Sequence, residues 1–160
     1  MELLDFSHRK KCADVSIVDK RILYLFYLTN LPYLFIAINQ KDLVNKIFMY
    51  GIFIVSSLFH LSQINKCKNP YDKNTVFFLN CDIGYAIFGS LLMIIYKHKN
   101  LNSLNILILI ITLIFFEIHR IKHLHNGYNY IILHSIWHFI SAFGLYNFLN
   151  NYNFNDYNLF

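Results

Sequence analysis

The chain has 160 residues, of which 56% are hydrophobic, 18% aromatic and only 14% charged. Soluble domains carry about 25% charged residues, so the composition speaks against an ordinary water-soluble domain and fits a membrane protein. The net charge of +5 does not point to nucleic acid. The basic residues are scattered over short segments between apolar runs, with no aromatic-basic interleaving on a polar surface.

In chain order, residues 1–21 form a charged N-terminal segment. The first apolar run starts only after it and lacks a short apolar stretch followed by a small-residue cleavage site, so no removable signal peptide is expected. Five apolar runs follow at lengths that span, or nearly span, a bilayer: Ile22–Asn39, Ile47–Ile64, Thr75–Tyr96, Leu101–Ile118 and Tyr130–Leu149. Asn30 and Pro32 fall inside the first run, so a kink is expected there. Residues 22–149 are thus read as one transmembrane helical domain. Residues 150–160 read as an Asn- and Tyr-rich loose tail. The fold class is all-α: a polytopic membrane helix bundle of about five spans. Of the 14 Lys and Arg residues, those in the N-terminal segment and in the second and fourth connections outnumber the rest. The positive-inside rule then puts the N-terminus in the cytosol and the C-terminus outside. Cys12, Cys67 and Cys81 form neither a CxxC pair nor an even disulfide framework.

Polar residues within the runs are few, and such residues at membrane depth are costly and usually functional. The candidates among them are Ser56, Ser57 and His60 in the second run, Asp82 in the third, and His134, Ser135 and His138 in the fifth. His134 and His138 have i,i+4 spacing, which puts both imidazoles on one helix face within reach of one metal ion. At about 1.5 Å per residue, His60, Asp82, His134 and His138 all lie roughly 6–12 Å from one membrane face. An antiparallel bundle can therefore bring three imidazoles and a carboxylate together. Three neutral histidines plus water make an open zinc arrangement. A carboxylate such as Asp82 can orient that water or take its proton. Ser56 lies one turn from His60 and can support it through a hydrogen bond. Ser57 and Ser135 read as packing residues. Trp137, between the two ligands in sequence, is expected to point away from their face towards a neighbouring helix or lipid. A second group, His119, His123 and His125, reads as a solvated helix end.

The ordered set Ser56-Ser-Leu-Phe-His60, Asn80-Cys-Asp82-Ile-Gly84 and His134-Ser-Ile-Trp-His138 resembles the CREST superfamily of membrane hydrolases. That superfamily includes alkaline ceramidases, adiponectin and progestin receptors, and lipid-remodelling proteins that act on GPI anchors. The phrases SSLFH, CDIGYAIFGS and ILHSIWHFISA are most similar to the branch containing the GPI-specific phospholipase A2 and myomaker. The resemblance covers residues 46–97 and 128–149. It implies zinc on His60, His134 and His138, catalytic support from Asp82 and Ser56, and a lipid amide or ester as substrate, entering from the bilayer. The family core resembles a seven-helix bundle, so five spans imply a reduced core. Three functions remain open from sequence. The first is a zinc-dependent lipid hydrolase in a plasma or internal membrane. The second is a non-catalytic receptor, fusion or scaffold protein with a structural zinc. The third is a haem or di-iron redox protein.

Overall fold

A computed structural model describes residue 15 and residues 17–66, 72–118 and 127–150. Among the described residues there is no strand, and there are six α-helices and one 3-10 turn. The helices are α1 Lys20–Leu28, α2 Leu31–Asn39, α3 Leu43–Lys66, α4 Lys73–Tyr96, α5 Ser103–Ile118 and α6 Gly127–Asn150, with the 3-10 turn His98–Asn100 between α4 and α5. The expected all-α bundle is the fold observed.

Local chemistry sets the boundaries. Asp19 caps α1 by accepting from the Arg21 amide at 2.7 Å, and Asp72 caps α4 by accepting from the Thr75 amide at 3.1 Å. Asp42 and Asn102 do the same ahead of α3 and α5, accepting from the amides of Asn45 and Asn105. Because these caps precede the apolar runs, α3 and α4 begin a few residues earlier than hydropathy alone suggests. The kink expected in the first run is a full break. The Thr29 hydroxyl donates to Phe26 O and the Asn30 amide donates to Tyr27 O, which terminates α1. Pro32, the second residue of α2, needs no helical amide partner there. α6 starts on Gly127, whose φ of +58° lies in the left-handed region that a side chain disfavours.

Lys20–Asn39, Leu43–Asn65, Lys73–Tyr96 and Gly127–Asn150 are long and apolar enough to cross a membrane. α5 is a shorter apolar helix of 16 residues, about 24 Å of rise. The helices expose Phe77, Phe88 and Leu91 on α4 and Leu104, Leu107 and Leu113 on α5. Lipid accepts such surfaces where water would not.

α3 packs against α1, α2 and α4; α6 packs on α5 and reaches α1 and α2. Phe48 stacks on Tyr85 at 6.1 Å between ring centroids. Gly51 leaves room for that Tyr85 ring, since a Cβ there would meet its hydroxyl. Two apolar clusters result. One joins Tyr33, Phe48, Met49, Met93, Ala142 and Phe148. The other joins Val15, Val18, Leu23, Phe26, Ile64 and Tyr130. Val15 and Val18, although within the charged segment 1–21, are therefore buried. Cys12, Cys67, His119, His123, His125 and the tail beyond Asn150 lie outside the described residues.

Candidate metal centre

Between the two apolar clusters lies a layer of histidines. His60 comes from α3, and His134 and His138 come from adjacent turns of α6. All three are buried, His138 completely. Their ring centroids form a triangle with sides of 5.1, 5.2 and 4.6 Å. Each ring offers a nitrogen, and these atoms lie within 4.8 Å of one another, close enough to hold a metal ion. Among the described residues this is the group of three or more His, Cys, Asp or Glu side chains so placed.

The closest approach is diagnostic. His60 Nε2 and His138 Nε2 are 3.3 Å apart. Two nitrogens bound tetrahedrally at about 2.0–2.1 Å stand about 3.3–3.4 Å apart, so the spacing already matches one edge of a zinc site. The same distance also suits a hydrogen bond between the two rings, one donating and the other accepting. His60 Nδ1 is 2.8 Å from Gln63 Oε1. An amide oxygen only accepts, so His60 Nδ1 carries the proton and Nε2 keeps its lone pair. The Gln63 amide in turn donates to the Tyr130 hydroxyl at 3.5 Å.

Aromatic rings enclose the triangle. Phe26 sits edge-on to His60 at 4.4 Å and to His134 at 5.5 Å. Tyr33 lies 5.7 Å from His138, and its hydroxyl pairs with Ser141. Trp137 does meet a neighbouring helix, through Phe116 of α5 at 5.7 Å. It does not turn away from the histidines, however: its ring is 5.1 Å from both His134 and His138. A 100° offset along the helix is too small to carry so large a ring clear of both neighbours. His60 and His138 nearly touch, with the Phe26 ring beside both and Tyr33 and Trp137 beside His138.

Asp82 is buried on α4, outside the set of atoms that could share the ion. Ser56 is likewise buried, on the adjoining helix α3. Asp82 itself is 8% exposed. Ser56 Oγ makes no hydrogen bond of full geometry; the partner of His60 Nδ1 is Gln63, not Ser56. Ser57 is buried and Ser135 half-buried. Sequence reasoning missed Gln63, Tyr130, Phe26 and Tyr33. Only Gln63 left a signal, as a polar residue one turn beyond His60 in an apolar run.

No family model matches the chain, and neither a curated protein nor a solved structure matches it. The site is therefore read from its own geometry: membrane-span-like helices around a buried three-histidine cluster able to hold a metal.

Proposed function

We infer that the chain is a zinc-dependent integral-membrane hydrolase acting on a lipid amide or ester. The observation that carries this reading is the convergence of His60, His134 and His138 at ligand spacing, with a buried carboxyl group, Asp82, on the adjoining helix. Three neutral imidazoles suit zinc, and a three-histidine set leaves a fourth position open. Bound there, zinc would supply a Lewis acid and bring the pKa of a coordinated water towards about 7. His60, His134 and His138 hold the ion. Asp82 orients the attacking water or takes its proton, with Ser56 on the adjoining helix in a supporting role. The apolar clusters on either side keep bulk water out, which strengthens every charge interaction within the layer. A site at bilayer depth meets lipids rather than soluble substrates. The resemblance to CREST hydrolases agrees with this assignment of roles and with a location in a plasma or internal membrane.

Complete burial of His138 favours one second reading, a zinc that is structural in a non-catalytic receptor, fusion or scaffold protein. Metal analysis and lipid turnover separate the two. The hydrolase binds about one zinc per chain, loses it in His134→Ala, and in Asp82→Asn keeps the zinc but loses turnover. A folded, metal-free wild type overturns both readings. Zinc binding without turnover of ceramide or phospholipid in bilayers leaves the structural one.

A further inference from the structure

We propose that Gln63 is the positioning residue of the metal centre: it fixes the tautomer of His60, and Tyr130 holds the Gln63 amide in the orientation that does so. This rests on the metal-site reading above. An imidazole binds a metal only through an unprotonated nitrogen, and a histidine can present either ring nitrogen. His60 Nδ1–H points to Gln63 Oε1 at 2.8 Å, which leaves Nε2 for the ion. That Nε2 is the atom found 3.3 Å from His138 Nε2.

An amide can turn over and present its NH2 group instead, which would clash with the Nδ1 proton. In the observed orientation Gln63 Nε2 donates to the Tyr130 hydroxyl at 3.5 Å, which gives the amide a second contact while Oε1 faces His60. Both Gln63 and Tyr130 are buried, so water does not readily replace either contact. Tyr130 lies one turn before His134, with its ring 5.0 Å from the His134 ring. The chain of contacts therefore runs from the ligand on α3 to the helix that carries the other two, and sets their spacing as well as the tautomer. Gln63 is neutral where many such partners are carboxylates. It orients His60 without adding a negative charge, so the ion's charge is left for Asp82 and substrate to meet.

The test is zinc affinity of the purified full chain in micelles, measured by competition with a chelating indicator, together with the visible spectrum of the cobalt(II)-loaded protein. Gln63→Met keeps the length of the side chain and removes the acceptor. It is expected to bind zinc about 10–100-fold more weakly and to shift the cobalt bands. Gln63→Glu restores the acceptor and is expected to bind at least as tightly as wild type. Tyr130→Phe is expected to weaken binding several-fold, and it decides the matter if Gln63→Met does not fold. Residues that only pack would lower unfolding stability and leave affinity and spectrum unchanged. Zinc affinities within twofold of wild type in Gln63→Met, or in Tyr130→Phe where that variant decides, overturn the proposal. A wild type that binds no zinc overturns the metal-site reading itself, and is seen before any variant is made.

Discussion

Replacing Phe26 by Ala tests whether the histidine layer is packed as described. Phe26 is buried, and its ring stands edge-on to His60 at 4.4 Å, His134 at 5.5 Å, Tyr130 at 5.8 Å and His138 at 6.3 Å. In water, a Phe→Ala change costs about 3–5 kcal/mol through lost transfer energy and a residual cavity. Here the transfer part largely drops out, because an unpacked helix would leave Phe26 in lipid. The cavity part remains: about 100 Å³ at about 24 cal/mol per Å³ gives roughly 2.4 kcal/mol. Lost edge-on ring contacts add about 0.5–1.5 kcal/mol. The expected loss is therefore about 3–4 kcal/mol, with Phe26→Leu costing about 1 kcal/mol because it keeps most of the volume. Reversible unfolding of the metal-free protein in mixed micelles by a denaturing detergent measures both. A Phe26→Ala protein within about 0.5 kcal/mol of wild type, or a Leu variant as unstable as the Ala one, would refute the packing argument, since either result is inconsistent with a filled cavity.

Further outcomes follow from other contacts. Gly51→Ala drives a methyl group into Tyr85 and should cost about 1–3 kcal/mol; Tyr85→Leu in the same chain should recover part of that, whereas simple addition of the two losses in micelle unfolding would count against the close approach. Asp42 lies in the connection ahead of α3. The Asn45 amide, and then Lys97 and Tyr96, hold its carboxyl group below the ordinary value of 3.8. A depressed carboxyl group stabilises the fold above its unfolded pKa and loses that effect as the pH falls through its folded pKa. Asp42→Asn should therefore be destabilised by less than about 1 kcal/mol at pH 7, since the pair is partly exposed. It should converge with wild type as the pH falls below 3.8 and through the lowered folded value, and a gap that persists at acid pH contradicts the ionic origin. Asp82→Asn should keep zinc and lose turnover, as metal content and lipid hydrolysis assayed on one preparation would show.

The spans were legible because each needs a long apolar run, and caps such as Asp72 only lengthened them. His60, His134 and His138 were legible as a set because equal depth in antiparallel helices is a strong geometric constraint. Gln63 was not. A glutamine near the end of a span reads as the place where the helix leaves the apolar layer, and only the structure shows it turned inward on His60. Trp137 was misplaced because helical spacing gives the direction of a Cβ and not the reach of an indole. Val15 and Val18 were hidden in a charged segment whose average polarity masked two buried side chains. The break at Thr29 was half visible: Asn30 and Pro32 marked the region, but side-chain bonds to Phe26 O and Tyr27 O end the helix.

The indole between His134 and His138 has an optical consequence. The chain contains one tryptophan, so its red-edge emission comes from a single point 5.1 Å from two of the three candidate ligand rings. Excitation at wavelengths that bypass the tyrosines isolates that signal in detergent or in a bilayer. Occupancy of the histidine layer can then be followed in real time without a dye or a tag. Titrating zinc into the metal-free protein should change the emission and saturate at about one ion per chain, and His134→Ala should abolish the response. A flat titration alongside measured zinc uptake would place the ion elsewhere in the chain.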